Sequence, residues 1–314
     1  MSGPSVSTGD GRGARGAAAD RPSTLRIWLL AARPATLPAA LAGVVVGIGA
    51  ALGAGATLRA DTGLGCVAVA LLLQVVANFA NDLSDFRKGA DTADRSGPLR
   101  VAAAGFVTER QLEIAIAVTI LAAGLVGLWL AAVGGPVLIG LGALAIVAAL
   151  AYTGGPWPYG YRALGEVFVF VFFGLVAVVG TAYLQAGRLE AVFWAAALPV
   201  GALVTAILVV NNLRDIPTDR AAGKRTLAVV LGARATQAEY ALLLAVAAVV
   251  PVALAVAGWA AWVLLPLLST PLALPLLRTV RGFTEPRQLN PALRGTARLA
   301  LVYSVLLAIG LAAS

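Results

Sequence analysis

The sequence predicts an all-α integral membrane protein: a bundle of nine transmembrane helices with a weak four-helix parallel repeat and a cytoplasmic N-terminus. Three observations predict it. Hydrophobic residues make up 60% of the 314 and charged residues 12%, with a mean hydropathy of +0.90, more apolar than a soluble domain needs. The apolar residues gather into runs long enough to cross a bilayer. Lys and Arg lie almost wholly on one side of those runs.

A membrane helix needs roughly 20 apolar residues to cross about 30 Å of hydrocarbon. Nine runs qualify: 36–55, 63–82, 112–131, 136–152, 164–185, 190–212, 236–257, 259–280 and 296–313. The third and fourth are joined by "AVGGP", the seventh and eighth by "GW". With the N-terminus in the cytoplasm, every Lys and Arg except Arg59 and Arg188 falls in a cytoplasmic segment. That bias supports both the number of spans and their orientation, because a miscounted span would scramble it. Trp28, Trp129, Trp259 and Trp262 stand near span ends, where aromatic belts are expected.

The formal charge of +8 reads as cytoplasmic loops beside an anionic leaflet, not as a nucleic-acid surface. Cys66 is the single cysteine and histidine is absent. Intrachain disulfides, cysteine metal clusters and Ser-His triads are therefore excluded. Residues 1–24 are rich in Gly, Ala, Ser and Arg without an apolar core. They read as a disordered tail rather than a cleaved signal peptide, leaving 25–314 as one membrane domain.

Two polar clusters break the apolar pattern. The second span ends in "NFANDLSDFRKGAD" and the sixth in "NNLRDIPTDRAAGKRTLAV". Each contains Asn-x-x-x-Asp, Asn78 to Asp82 and Asn211 to Asp215. A further carboxylate follows, Asp85 or Asp219, and then a glycine with adjacent cations, "RKG" or "GKR". Four spans separate the copies, which suggests the repeat. Residues three or four apart share a helix face, so Asn78, Asp82 and Asp85 form one stripe, as do Asp215 and Asp219 unless Pro217 distorts that turn. Carboxylates crowded at a partly desolvated mouth repel one another. Mg²⁺ relieves that repulsion; it takes oxygen ligands and commonly bridges one or two carboxylates to phosphate. Nearby Arg and Lys suit the remaining phosphate charge.

A third motif, "AYTGGPWPYGYRALGE" at 151–166, brings Tyr152, Trp157, Tyr159 and Tyr161 together. These rings flank a flat ligand or a cation, or serve as interfacial anchors. Arg162 is the lone cation of that loop. Glu166, four residues on, has the spacing for a pair with it.

Four stretches together carry a family resemblance: "ARPATLPAA" at 32–40, "QVVANFANDLSDFRKGAD" followed by "GPLR", the 151–166 segment, and "NNLRDIPTDRAAGKRTLAVVLG" at 211–232. They resemble the UbiA-type membrane prenyltransferase superfamily, and within it the branch that prenylates 1,4-dihydroxy-2-naphthoate in menaquinone synthesis. Asp91, six residues after Asp85, departs from the first motif's usual spacing.

The resemblance implies Mg²⁺ and a polyprenyl diphosphate meeting at a cytoplasmic mouth of the cell membrane, with the isoprenoid tail in the bundle or the lipid. It assigns Asn78, Asp82, Asp85, Asp215 and Asp219 to the metal–diphosphate site, the four aspartates being catalytic. Arg87, Lys88, Asn211, Lys224 and Arg225 become diphosphate contacts, and Tyr152, Tyr161 and Arg162 acceptor contacts. The implied products are demethylmenaquinol, diphosphate and CO₂. Two other readings stand beside it: a prenyltransferase of the same type with another aromatic or sugar acceptor, and a secondary transporter for an anionic solute.

Overall fold

The computed structural model describes residues 22–89 and 100–314. Residues 1–21 of the expected tail and Asp91 lie outside the described residues. The described chain is helical, with nine apolar helices standing side by side. Eight are long and apolar enough to cross a membrane.

The amphipathic α1 (Thr24–Ala32) begins where Ser23 accepts from the Arg26 N–H, so Ser23 and Thr24 belong to it rather than to a tail. It lays Ile27 and Ala31 inward and sets Trp28 edge-on to Phe79, ring centroids 5.7 Å apart. Arg33 then takes the left-handed region (φ 51°) before Pro34, a conformation costly for a side chain with a Cβ. It turns the chain into the first span, α2 (Leu37–Gly53).

The next spans are α3 (Ala60–Arg87), α4 (Glu109–Gly134) and α5 (Val137–Ala151). At 15 residues, α5 rises only about 22 Å, shorter than the expected 136–152 because Pro136 and Tyr152 cap it. The fifth span is composite. It runs as α6 (Gly165–Val169), a π-helical segment (Phe170–Val176) and α7 (Ala177–Ala186).

The sixth span, α8 (Ala191–Ala221), is the most buried of the long helices. It continues through Pro199 and Pro217 without a break, so the expected distortion at Pro217 does not end it. The Thr218 hydroxyl donates to the Asp215 carbonyl at 3.0 Å beside that proline. A short α9 (Leu227–Leu231) leads to α10 (Ala233–Val256). The eighth span is half 3₁₀ helix (Ala261–Ser269) and half α11 (Thr270–Gly282), with Pro266 and Pro275 inside. The ninth is α12 (Leu289–Ala312).

Small residues draw these helices together, as they do where lipid removes the hydrophobic drive between helices. A Cβ on Gly43 would stand 2.6 Å from Ala177 Cβ, and one on Gly174 2.6 Å from Gly201 Cα. Gly49 and Gly53 on α2 meet the backbone at Ala308 and Leu311 on α12 with no room for a methyl group.

Both α3 and α8 are several residues longer than a span requires, and both stop in the same way. Gly89 (φ 63°) follows the first and Gly223 (φ 69°) the second. This left-handed stop suits glycine, and after Gly223 it turns Lys224 back onto Asp219, 3.5 Å away. At the opposite end of the bundle, Arg59 begins α3 with its N–H on Gln185, while Arg188 donates to the Ala54 carbonyl. The two cations that break the charge bias thus share one end, opposite the acid-bearing tips.

Candidate functional site

The acid-bearing ends of α3 and α8 lie side by side, joined through Tyr161. Its hydroxyl donates to Asp85 at 3.3 Å. Lys88 Nζ stands 4.1 Å from its ring centroid and Lys224 Nζ 5.6 Å. Lys224 in turn reaches Asp219 at 3.5 Å. A parallel backbone bridge between Arg162 and Arg225 fastens the third motif to the "GKR" turn. Thr153 donates to Asn81 at 2.9 Å, and its carbonyl accepts from Lys88 at 2.5 Å, fastening the same motif to α3. All three polar motifs therefore share one mouth.

On the α3 side, Arg100 is buried against the acids. It donates to Asp85 at 2.5 Å and lies 4.0 Å from Asp82, which also accepts from the Val101 N–H at 3.2 Å. On the α8 side, Arg214 forks onto both oxygens of Asp215 at 2.7 Å each, and donates to Asn211 at 2.8 Å and Asn290 at 2.9 Å. Asp219 is buried, and its Oδ2 has no hydrogen-bond partner. Burial lowers the Lys88 ammonium pKa; Asp85 opposes that shift and Lys224 adds to it.

Beneath the mouth opens an apolar cavity of about 320 Å³, with Asn81, Tyr152, Tyr159 and Phe168 among its lining residues. Tyr159 stacks on Phe168 with centroids 3.9 Å apart, and Tyr152 meets Tyr159 edge-on at 5.4 Å. An aromatic cluster thus touches the cavity directly beside the acid-bearing mouth.

Some expected residues stand elsewhere. Asn78 donates to the Ala32 carbonyl at 2.9 Å and to Thr36 at 3.0 Å, tying α1 to α3; Asn81 is the asparagine that lines the cavity. Arg87 turns away to Glu109 and Glu113 on α4, half exposed. Arg162 does not pair with Glu166. Its guanidinium lies 5.1 Å from the Trp157 ring centroid, and Glu166 accepts from Asn212 at 2.9 Å. Arg225 is exposed.

Sequence reading missed Arg100 and Arg214 as site residues because both were absorbed into the positive-inside count. For Arg214 the signal was present: an arginine one residue from an aspartate at the end of an apolar span is costly unless the two pair; Arg100 is fifteen residues from its partner Asp85 and carried no such mark.

Such a molecule is a polytopic membrane protein suited to amphiphiles, with a charged mouth above an apolar cavity. The chain belongs to the UbiA prenyltransferase family, whose model matches residues 40–310. It is 45% identical over 288 residues to the 1,4-dihydroxy-2-naphthoate octaprenyltransferase of Mycobacterium tuberculosis, covering 91% of this chain and 96% of that one. It is 39% identical over 302 residues to the enzyme of the same name from Escherichia coli, covering 92% and 96%. A UbiA homolog from Aeropyrum pernix shares the fold with a TM-score of 0.65 at 18% identity, over 87% of this chain and 96% of that one. Another, from Archaeoglobus fulgidus bound to GPP and Mg²⁺, has a TM-score of 0.64 at 15% identity, over 90% and 99%. Family membership displaces the transporter reading.

Proposed function

We propose that the chain transfers a polyprenyl group from polyprenyl diphosphate to 1,4-dihydroxy-2-naphthoate, with residues 25–314 acting as one prenyltransferase domain. The family, the naphthoate-prenylating relatives and the opposed acid-bearing tips support this reading. The observation that carries it is Tyr161, contacted by Asp85, Lys88 and Lys224, two residues along the chain from Tyr159 on the wall of an apolar cavity.

The donor set fits Mg²⁺. Among the described residues no three acidic, histidine or cysteine side chains form a metal cage. Mg²⁺ does not need one, because it keeps waters and takes one or two carboxylates with substrate phosphate. Asp219 offers a buried oxygen without a partner. Asp82 and Asp85 would hold metal from α3, and Asp219 from α8. Asp215 takes its place beside them under the Arg214 fork, with Asn211 on the same guanidinium. When bound, the ion neutralises charge developing on the diphosphate.

The chain's own residues supply the rest. Lys88 and Lys224 flank the same ring and are placed to receive diphosphate oxygens, with Arg225 at the rim. Tyr152, Tyr159 and Phe168 present aromatic faces to an allylic cation beside the cavity and exclude water from it. Tyr161 and Arg162 border the acceptor's approach. The allylic C–O bond breaks and its electron pair leaves with diphosphate. A C–C bond forms at the ring carbon bearing the carboxylate. That carboxylate departs as CO₂, returning its electron pair to the ring and giving demethylmenaquinol. No histidine base is needed, because CO₂ rather than a proton is displaced. The charge bias of the loops supports a cytoplasmic N-terminus and mouth in the cell membrane.

The test is turnover by the purified protein with Mg²⁺, a polyprenyl diphosphate and the naphthoate, read as prenylated quinol and CO₂. Turnover of 4-hydroxybenzoate without turnover of the naphthoate would move the acceptor to the other reading.

A further inference from the structure

Resting on the prenyl-transfer reading, we infer that Gln74 recognises the acceptor: its side-chain carbonyl, presented to the cavity, accepts a hydrogen bond from the ring hydroxyl that points inward. It thereby selects a dihydroxy ring and holds it for attack.

Gln74 is the one amide side chain in the apolar run of α3 between Gly63 and Ala77. An amide in such a run is costly unless it is bonded. Its amino end is bonded. Nε2 donates to the Thr36 hydroxyl and to Asn78 Oδ1, both at 3.3 Å. The direction of these bonds is fixed by the neighbours. Asn78 Nδ2 donates to the Ala32 carbonyl at 2.9 Å, and a carbonyl can only accept. Asn78 therefore turns Oδ1 toward Gln74, and Gln74 must answer with Nε2. Thr36 is held as well, its hydroxyl donating to the Arg33 carbonyl at 2.9 Å. The corner where α1 turns into α2 thus locks the amide.

That lock leaves Oε1 facing the other way. Gln74 lines the apolar cavity, whereas Thr36 and Asn78 do not. Among the described residues none donates to Oε1, and the oxygen is not sealed from the open space beside it. A fixed acceptor at the edge of an apolar cavity suits a ligand that brings a hydroxyl and little other polarity.

The dihydroxynaphthoate meets that description. Its carboxylate belongs at the charged mouth, which keeps the carboxylate-bearing carbon toward the diphosphate. The hydroxyl at position 4 of the same ring then points inward, roughly 5 Å from the carboxylate carbon by ordinary bond lengths. A hydrogen bond of about 3 Å at each end brings the span to about 11 Å. Gln74 stands seven residues from Asn81 on α3, about 10 Å deeper by helical rise, so the carbonyl lies within reach of that hydroxyl. A neutral carbonyl accepts the bond without taking the proton, so both hydroxyls stay on the quinol.

The test compares 1,4-dihydroxy-2-naphthoate with 1-hydroxy-2-naphthoate, which lacks only the inward hydroxyl. Kd for each is measured by calorimetry without oxygen, with Mg²⁺ and a non-cleavable polyprenyl thiolodiphosphate present. The parent protein should prefer the dihydroxy ring by about tenfold or more, the order set by leaving one acceptor unpaired. In Gln74→Met, of similar length and without the amide, the preference should fall to within about twofold. Gln74→Asn keeps an amide but withdraws the carbonyl by one methylene, and should lose the preference too. A merely structural role for Gln74 would weaken both ligands alike and leave their ratio unchanged. A preference retained in either folded variant overturns the inference. So does a parent that binds the two within about twofold, a result that needs no variant. Failure of the parent to prenylate the naphthoate with a cleavable diphosphate refutes the prenyl-transfer reading itself, an outcome distinct from a missing preference.

Discussion

Replacing Arg214 by alanine should destabilise the protein severely. The side chain is 2% exposed and spends its guanidinium on Asp215, Asn211 and Asn290 at 2.7 to 2.9 Å. Truncation leaves the Asp215 carboxylate buried with its fork removed. Stripping one partner from a buried pair costs about 3–5 kcal/mol, far more than the net worth of one hydrogen bond. At roughly 2–4 °C per kcal/mol for chains of comparable size, the midpoint should fall by about 6–20 °C. The assay is thermal unfolding of detergent-solubilised protein by tryptophan fluorescence, at one scan rate because such transitions are often irreversible. Arg214→Met with Asp215→Leu removes both charges and should recover much of the loss while remaining inactive. A single Ala variant that melts within about 2 °C of the parent refutes the reasoning, since it would mean that water or a neighbour satisfies Asp215 without Arg214.

Three further outcomes are expected. Asp82→Asn and Asp219→Asn should each lower Mg²⁺-dependent turnover by about a hundredfold or more, on the scale of lost electrostatic stabilisation, with melting behaviour retained; Mg²⁺ titrations of both variants check it. Arg87→Ala should leave the KM for polyprenyl diphosphate within about twofold, because its exposed pairing with Glu109 and Glu113 is worth little, whereas Lys224→Ala should raise it; initial rates against diphosphate concentration separate the two. Burial lowers the Lys88 pKa, so its charge is lost at a lower pH than for an ordinary lysine. The alkaline limb of kcat/KM should therefore move upward in Lys88→Arg, and an unmoved limb would remove Lys88 from diphosphate binding.

The spans were legible because crossing lipid demands long apolar runs, and that demand is written directly in composition. Their internal irregularities were not. The π segment at Phe170–Val176 and the 3₁₀ half of the eighth span depend on how neighbouring helices press, which a single run of apolar residues does not encode. The acid stripes were legible from spacing alone. Which asparagine joins them was not, because each stands four residues before an aspartate on its own face, Asn78 before Asp82 and Asn81 before Asp85. The choice falls to tertiary contact, as Ala32 and Thr36 claim Asn78 while Asn81 is left at the cavity. The partners of Arg87 were hidden for a related reason: Glu109 and Glu113, on the next helix, draw it outward.

The fit between α2 and α12 also bears on how the protein is made. Their close contact joins segments some 250 residues apart, as between Gly49 and Ala308. While the ribosome is still extending the chain, the glycine face of α2 must wait in the bilayer for a partner that emerges many helices later. Contacts of such long sequence separation form slowly. A half-made molecule therefore exposes a smooth, sticky groove, a place where chaperoning lipid or an insertion factor has most to do.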